Sequence, residues 1–340
     1  MENKVIQQNV GIDASKESFY ACFILQTNEQ KKKVKASRKF SNNADGYRAM
    51  THWVSAKRDK TVPVSYTMEA TGVYHENLAY YLNDLEERVH VVVPSRAKRY
   101  ASSFKQKSKT DKIDAKILGF MGLERDLDQW KPFSPVFRVL KGLTRERSSL
   151  IKYRTMLKNQ RHGLESSAYP HRKSLSRNTQ MIRMTDKQIA DIEKEIETVV
   201  EQDTEVKRKL LKVMSIPGVG FLTAVIVVAE TDGFALIKSR KQLVSFAGLD
   251  VKIKESGKWK GRAKISKRGN VHIRKALYFP AFTASRYSHT YKMFYERLLD
   301  ENKLPLVASV AVQRKILSLI FTLWKNDTTY IESYQNKKVA

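Results

Sequence analysis

The stretch "NVGIDASKESFYACFIL", residues 9–25, decides the class of fold. Its first part is a short apolar segment that ends in an acid, Asp13, and its second part is rich in aromatic and β-branched residues. Both patterns are typical of β-strands. We therefore predict two strands here and a third from "KKKVKASRKF", residues 31–40. A helix should follow over residues 43–57, with Asn42 or Asn43 as its N-cap.

The next eighty residues alternate between the two kinds of pattern. "VPVSYTMEA" (62–70) and "RVHVVVP" (88–94) are predicted strands. "HENLAYYLNDLEE" (75–87) and "TDKIDAKILGFMGL" (110–123) are predicted helices, the second with Thr110 as a suitable N-cap. Three leading strands followed by alternating helices and strands indicate a mixed α/β sheet rather than an all-parallel one.

After "WKPFSP", residues 130–135, the pattern becomes helical. Leucines recur every seven residues from Leu143 to Leu164, and a second apolar seam with 3-4 spacing begins at Ile189. Two long helices linked near "YPHRKS" fit these seams as an antiparallel hairpin or as a dimerising coiled coil. A helical subdomain that buries one face internally fits them equally well.

Several further helices are predicted after residue 213, so the complete fold class is α/β plus α. We expect an α/β domain over residues 1–130, a coiled-coil or hairpin segment over 131–212, a mainly helical domain over 213–330 and a tail over 331–340.

The charge balance indicates a polyanionic partner. Lysine and arginine number 63 against 35 acids, a net charge of +28. Each phosphate that such a surface neutralises releases counterions, which favours nucleic-acid binding. Cys22 is the one cysteine, so a disulfide framework and a cysteine zinc site are excluded. The start of the sequence lacks the apolar segment of a signal peptide, and the longest apolar run, residues 221–229, is short for a membrane span. These features predict an intracellular protein without a membrane partner.

Four acids lie at the ends of predicted elements. Asp13 and Glu69 close two strands, and Asp111 and Asp114 are three residues apart on one helix face. Carboxylates that converge repel one another unless a divalent cation lies between them, and hard oxygen ligands suit Mg²⁺ or Mn²⁺. Taken one at a time, each acid is more simply a solvated end residue. Together, in a basic chain with a mixed sheet, they form a ribonuclease H-like nuclease pattern.

A glycine turn, "IPGVG" at residues 216–220, separates two apolar helical stretches. The backbone N–H groups at Gly218 and Gly220 can face a phosphate there, as in helix-hairpin-helix DNA-binding modules. An ordinary tight helix–helix turn has the same sequence pattern.

A strongly basic stretch lies within residues 252–275, where ten lysines and arginines accompany one acid, Glu255. This composition suits a groove that follows a nucleic-acid backbone. The candidate contacts are Lys252, Lys254, Lys258, Trp259, Lys260, Arg262, Lys264, Lys267, Arg268 and Arg274. Ser256 and Ser266 are both eligible nucleophiles in this positive surrounding, and residue chemistry does not choose between them.

The ordered motifs resemble those of a known family. "VGIDASKESFYACF", "MEATGVYHENLAYYL", "KTDKIDAKIL", "SIPGVGFLTAVIVVAE", "FAGLD" and "ESGKWKGRAKISKRGNVHIRKAL" follow the order seen in DEDD-type insertion-sequence transposases, the IS one-ten family with the related Piv-type DNA invertases. The resemblance extends from about residue 9 to about residue 325.

The resemblance implies a RuvC-like ribonuclease H fold, a coiled-coil segment and a C-terminal serine domain. It implies that Asp13, Glu69, Asp111 and Asp114 hold Mg²⁺ and that Ser256 forms a covalent phosphoserine bond to DNA. It also implies a dimer or tetramer with composite active sites, DNA at the element ends and target, a non-coding bridge RNA, and a bacterial, nucleoid-associated location in the cytoplasm.

We therefore expect a DNA transposase or site-specific recombinase. One alternative is a RuvC-like structure-specific endonuclease that uses water as its nucleophile and does not need Ser256. The other is a non-catalytic nucleic-acid-binding scaffold.

Overall fold

The computed structural model describes residues 4–104, 110–235, 237–253, 255–257, 259–261 and 264–332, with the side chains of residues 259 and 260 left out. The chain divides into two compact units, Met1–Pro132 and Phe133–Ala340. Each has its own hydrophobic core in the described part of the chain.

The first unit contains a five-stranded mixed sheet with the strand order β3-β2-β1-β4-β5. Only β2 is antiparallel to the others, because β1 pairs with β4 and β4 with β5 in parallel. This is the sheet of the ribonuclease H fold, and it confirms the mixed α/β prediction. The elements are β1 (Val5–Ala14), β2 (Ser18–Thr27), β3 (Lys32–Ser41), α1 (Ala44–Ser55), β4 (Val64–Glu69), α2 (Glu76–Asp84), β5 (Arg88–Val92), α3 (Pro94–Ala101) and α4 (Asp111–Glu124).

Side-chain caps start two of the helices of this unit. Asn43 caps α1, because its side chain accepts a hydrogen bond from the Gly46 backbone N–H at 2.9 Å. Asn42 instead accepts from the Tyr47 hydroxyl at 2.7 Å, which decides between the two predicted caps. Thr110 caps α4 by accepting from the Ile113 N–H, as predicted.

The second unit is mainly helical, which confirms that part of the fold prediction. Its elements are α5 (Pro135–Glu165), α6 (Arg172–Gln202), α7 (Thr204–Met214), α8 (Phe221–Glu230), α9 (Arg240–Phe246), β6 (Val251–Lys252), β7 (Glu255–Ser256), β8 (Trp259–Lys260), β9 (Lys264–Ile265), α10 (Val271–Ala276), α11 (Tyr278–Tyr287), α12 (His289–Asp300) and α13 (Pro305–Asn326). The predicted boundary near residue 212 lies inside this unit.

Helices α5 and α6 form an antiparallel hairpin. Arg147 pairs with Glu193 at 2.6 Å, and Arg154 pairs with Asp186 at 3.0 Å. A step of seven residues forward along α5 thus matches a step of seven residues backward along α6, as it must in an antiparallel pair. Arginines that interrupt the leucine seam of α5 thus find carboxylates on α6. Toward the end of the hairpin that joins the rest of the unit, Leu143, Ile192 and Ile196 enter the common core.

Helix α13 is long and apolar enough to cross a membrane by length and composition, one such helix in the described residues. Polar residues interrupt its apolar positions, so this helix does not form one long apolar run in the sequence. Its buried face, which includes Val312, Ile316 and Ile320, belongs to the core of the second unit.

Candidate active site

The end of β1 carries Asp13 on the sheet face that α4 covers. A Cβ atom at Gly11 would lie 2.0 Å from the Ala115 carbonyl oxygen, so β1 and α4 touch through their backbones at this glycine. Side chains two apart on a strand share a face, which directs the Asp13 side chain toward α4 as well. Asp13 is half-buried.

Glu69 ends β4, the strand beside β1, on the same face. Asn9 donates to the Thr67 hydroxyl at 2.9 Å, and a Cβ atom at Gly122 of α4 would lie 2.3 Å from that hydroxyl. Glu69 follows Thr67 by two residues and therefore also faces α4. Since Ile12 pairs with Met68, Asp13 and Glu69 are neighbours at the ends of the two parallel strands. The half-buried Glu69 carboxylate accepts a hydrogen bond from the Thr71 hydroxyl at 2.8 Å.

Helix α4 runs antiparallel to β1. Gly122 lies beside Asn9, whereas Ala115 and Gly119 lie beside Gly11. The first turn of α4 must then lie toward the strand end that carries Asp13. This turn contains Asp111, which is exposed, and Asp114, which is half-buried. The N-terminal end of a helix also favours carboxylates electrostatically.

The fold therefore brings all four predicted acids to one end of the first unit. Their oxygen donors are those that Mg²⁺ and Mn²⁺ prefer, so the donor chemistry fits a hard divalent cation. Among the described residues, however, no three His, Cys, Asp or Glu side chains are close enough together to hold a metal ion. The backbone thus places the acids in one neighbourhood, while their side chains do not form a closed coordination shell.

His75 lies six residues after Glu69 and is buried, with 6% of its surface exposed. Burial lowers the pKa of its imidazole, and the nearby Glu76 offsets this only in part. No described residue hydrogen-bonds to its Nδ1. Burial therefore favours the neutral form of this ring.

The basic stretch of the second unit forms a small β-ribbon. Strand β6 pairs with β9 at its base, and β7 pairs with β8 nearer its tip. Ser256 lies opposite Trp259, so only two residues connect the inner strands. Gly257 has a φ of +57°, the left-handed conformation that tight hairpins require. Ser256 is exposed at this tip.

Ser266 has a different environment at the ribbon base. Its hydroxyl donates to the Asp250 carboxylate at 2.5 Å, and its backbone N–H donates to the Asp250 carbonyl at 2.8 Å. The Ser266 oxygen also accepts from the Arg268 N–H. These hydrogen bonds join the two ends of the ribbon next to the helical part of the unit.

Like charges face each other across the ribbon. Lys252 pairs directly with Lys264, and both are exposed. Directly opposed cations destabilise a strand pair unless an anion lies between or over them. Lys267 and Arg268 are exposed just beyond β9.

The other predicted contacts differ in what the structure describes. Lys254, Lys258 and Arg262 lie outside the described residues, and Trp259 and Lys260 are described by their backbone alone. Arg274 is half-buried, and its guanidinium donates to the Ala247 carbonyl at 2.7 Å. This contact ties α10 to the segment before the ribbon.

The glycine turn between α7 and α8 has a packing requirement at one position. Gly218 has a φ of +83°, and a Cβ atom there would lie 2.6 Å from the Pro280 carbonyl oxygen. Gly220 occupies the N-cap position of α8, and a Cβ atom there would meet nothing within 4 Å. The close contact with α11 thus explains Gly218, whereas Gly220 remains accessible.

An ion pair near the ribbon, between the buried Glu230 and the exposed Arg145, was not among the predicted site residues. Glu230 is 2% exposed and accepts hydrogen bonds from Arg145 at 2.7 and 2.9 Å and from the Asn270 amide at 2.6 Å. Burial would raise the pKa of Glu230, but these bonds and the charges of Arg145 and Lys141 outweigh it, so the pKa lies below its usual range. The sequence signal was an acid ending the apolar run "FLTAVIVVAE", together with Asn270 before an apolar helix.

Asn270 links this ion pair to the ribbon. Its carbonyl Oδ1 accepts from the N–H groups of His272 and Ile273, which caps α10. Its backbone N–H donates to the Phe246 carbonyl at 2.7 Å. One side chain therefore joins α8, α10 and the segment that returns from the ribbon.

A ribonuclease H sheet with carboxylates at one end, and a helical unit with a basic ribbon, define a DNA-processing enzyme. A DEDD-type transposase model of the IS110 group, described as Transposase, matches residues 10–170. The model described as "Transposase IS116/IS110/IS902 family" matches residues 211–296. The chain belongs to the IS110 family of transposases and recombinases.

Individual relatives agree with this assignment. The pilin gene-inverting protein of Moraxella bovis is 28% identical over 329 residues, 94% of this chain and 97% of that protein. The transposase for insertion sequence element IS1111A of Coxiella burnetii is 32% identical over 148 residues, 43% of this chain and 40% of that protein. T. thermophilus RuvC, solved with a Holliday junction substrate, matches 36% of this chain and 100% of its own at 9% identity. The TM-score of this match is 0.27.

Proposed function

We propose that this chain is a site-specific DNA recombinase of an insertion sequence that cuts and rejoins strands through a covalent bond to Ser256. The Ser256 oxygen attacks the scissile phosphorus, one phosphorus–oxygen bond to deoxyribose breaks, and a serine phosphodiester forms. The serine proton leaves, and the departing sugar oxygen takes up a proton. Attack by another deoxyribose hydroxyl reverses these steps, releases Ser256 and joins the new strands. The serine ester conserves the bond energy throughout.

The observation that carries this proposal is the contrast between the two candidate serines. Ser256 is exposed at a ribbon tip, where a phosphate can approach it, whereas the Ser266 hydroxyl is engaged by Asp250 at the base. A hydroxyl that donates to a carboxylate is also the geometry of an activated nucleophile. The experiment below therefore tests Ser266 as well.

In this proposal the acids of the first unit act on the scissile phosphate. Asp13, Glu69, Asp111 and Asp114 would hold Mg²⁺ or Mn²⁺, which supplies charge neutralisation for phosphoryl transfer when bound. The opposed Lys252 and Lys264 hold the DNA backbone on the ribbon. Exposed Lys267 and Arg268 extend this cationic surface toward α10.

We further propose a bridge RNA as guide and a dimer or tetramer as the working form. The net charge of +28 favours polyanionic partners, and the family resemblance supports both the RNA and the oligomer. The α5–α6 hairpin is the proposed association segment, because Tyr153, Met156 and Met184 are each more than half exposed on it.

The test uses end-labelled DNA that carries the element junction, incubated with the element's RNA and Mg²⁺. Wild type, Ser256→Ala, Ser266→Ala and Asp13→Asn are compared on a denaturing gel. We expect a protein-linked DNA band with wild type and Ser266→Ala, and none with Ser256→Ala or Asp13→Asn.

Each other outcome selects a different mechanism. Cleavage that persists in Ser256→Ala without an adduct would identify an endonuclease that uses water. An adduct lost only in Ser266→Ala would move the nucleophile to Ser266. If the wild type and all variants bind nucleic acid without cleaving it, the protein acts as a non-catalytic scaffold.

A further inference from the structure

A large cavity lies in the second unit, between α9, α12, α13 and the segment after α13. Its volume is about 1170 Å³. Asp250 and Val251, where the ribbon begins, form part of its wall. None of the residues predicted above to bind nucleic acid lines it.

The cavity has four cations in its wall, namely Arg240, Lys241, Arg314 and Lys315. Within the described part of the chain, none of the four forms an ion pair with a carboxylate. Asp250 is the one acid in the wall, and its carboxylate accepts the Ser266 hydroxyl. Like charges gathered in a concave surface repel one another and raise the local concentration of anions. The charge distribution thus calls for an anionic ligand.

An aromatic ring forms part of the same wall. Phe294 is half-buried, with the Lys315 Nζ 3.8 Å and the Arg297 guanidinium 5.5 Å from its ring centroid. Tyr291, one helical turn earlier, is buried beside it. Lys315 lies over the ring as a cation–π partner, so the wall combines aromatic and cationic groups, the combination with which proteins bind nucleobases and their phosphates.

Helix α13 supplies polar side chains to the cavity at helical spacing. Lys315, Ser318, Thr322 and Asn326 line the cavity and follow one another by three or four residues. The opposite face of the helix enters the core. Hydroxyl and amide groups beside cations are the usual partners of phosphate and sugar oxygens.

We propose that this cavity binds an unpaired nucleotide of a nucleic-acid strand together with its flanking phosphates. The base lies against Phe294, and the phosphates contact Arg240, Lys241, Arg314 and Lys315. A cavity of about 1170 Å³, somewhat above the range of roughly 300–1,000 Å³ for small-molecule sites, has room for a nucleotide and part of its neighbours. A simple anion site would need neither this volume nor the ring.

Binding at the cavity is independent of the serine chemistry, although its use in strand positioning rests on the proposed function. Because Asp250 and Val251 form part of the cavity wall, a strand bound in the cavity lies beside the base of the ribbon that carries Ser256. The cavity therefore keeps one strand next to the ribbon and takes one base out of pairing.

The test measures fluorescence anisotropy of oligo-dT, oligo-rU and a DNA duplex against the full chain over a salt series. Arg314→Gln with Lys315→Gln should weaken single-strand binding at least tenfold. The slope of log K against log salt should decrease by about 1.4, because two phosphate contacts at about 0.7 each are lost. The matched control is Lys303→Gln with Lys325→Gln, which removes equal charge outside the cavity.

A second pair of variants tests the ring. Phe294→Leu keeps an apolar side chain and should weaken single-strand binding about fivefold or more without changing the salt slope, whereas Phe294→Tyr should retain affinity. Duplex binding should be unaffected by either. Thermal melts confirm that each variant is folded.

If the double variant in the cavity and the double control variant lose the same affinity for single strands, the proposal is wrong and binding depends on the overall surface charge. Equal losses of affinity for the duplex and for the single strands would overturn the proposal that the cavity binds an unpaired nucleotide. Tighter binding of oligo-dT assigns the cavity to a DNA strand, and tighter binding of oligo-rU assigns it to RNA, with the site supported in both cases. Ser256→Ala should bind like wild type, so failure of the proposed chemistry and failure of this site are distinguishable.

Discussion

Glu230 is a carboxylate in the core of the second unit, and its ionisation depends on two partners. Arg145 reaches it from α5, and Asn270 reaches it from the segment after the ribbon. Glu230 is buried and Arg145 is exposed, so removing Arg145 leaves a buried carboxylate with Asn270 as its remaining hydrogen-bond donor, which costs more than the pair contributes. The ribbon base therefore depends on a residue more than a hundred positions earlier in the chain.

Arg145→Met should lower the free energy of unfolding by about 2–4 kcal/mol at pH 7, since Glu230 would remain buried and charged. In the wild type the pKa of Glu230 is lowered, so its stabilising contribution is present above the unfolded pKa of about 4.5 and is lost as the pH falls. In the variant burial dominates and the deficit should shrink toward pH 4.5. Urea titrations at both pH values measure this.

Glu230→Gln in the Arg145→Met background is the control, because it removes the uncompensated charge and should restore part of the stability at pH 7. A deficit that is the same at both pH values, and that Glu230→Gln does not relieve, would mean that Arg145 acts through packing of its stem.

At the scale of elements, contact between α4 and β1 determines where the acids of the first unit lie. The contact is between backbones, at Gly11 and Gly119. Any side chain at Gly11 would move α4 away from the strand and, with it, Asp111 and Asp114 away from Asp13.

Gly11→Ala should destabilise the first unit by about 3 kcal/mol or more, because its Cβ meets backbone atoms that have no room to move. Gly142→Ala, in α5 with nothing within 4 Å of the added Cβ, should instead stabilise the second unit by about 0.5–1 kcal/mol. Chemical denaturation followed by circular dichroism compares the two. A neutral Gly11→Ala would contradict the close contact between helix and strand.

The ribbon is a second element that a specific feature destabilises, because Lys252 and Lys264 oppose each other across the strand pair. Lys264→Glu would replace the Lys252–Lys264 repulsion with attraction, contributing about 0.2–1 kcal/mol to the strand pair. We expect slower amide hydrogen exchange over residues 251–265. DNA affinity should nevertheless fall, with a salt slope smaller by about 1.

Lys303→Glu, an equal charge change at an exposed position outside the ribbon, should leave hydrogen exchange in the ribbon unchanged. Stronger DNA binding by Lys264→Glu would show that the opposed lysines have no role in holding phosphate.

At the scale of the whole molecule, the chain has separate hydrophobic cores. The buried cluster of the second unit begins at Phe137, and those of the first unit end at Leu127. Calorimetry of the full chain should therefore show two unfolding transitions. Gly11→Ala should lower one of them and Arg145→Met the other. A single transition that both variants shift equally would show that the units unfold together.

The sequence predicted the five strands of the first unit, because segments such as residues 9–25 and 62–70 are apolar and have clear end signals. It did not predict the four short strands of the ribbon, whose basic residues carry no strand pattern. Its ordered motifs also identified the family. It did not separate Asn42 from Asn43 as the cap of α1, because both side chains suit that role and only their neighbours differ. The helical seams allowed several arrangements, since heptads specify a buried face and not its partner.

The amino-acid sequence by itself determined the strands of the first unit, the long helices, the polyanionic partner and the family, because periodicity, charge and motif order are properties of the chain. The tertiary structure decided which residues meet. It placed the four acids at one end of the first unit, tied Ser266 to Asp250, left Ser256 exposed at a tip, and gathered the cations of α9 and α13 and the Phe294 ring in one cavity. These relations join residues far apart in the chain, so they follow from packing and strand register and are absent from local patterns.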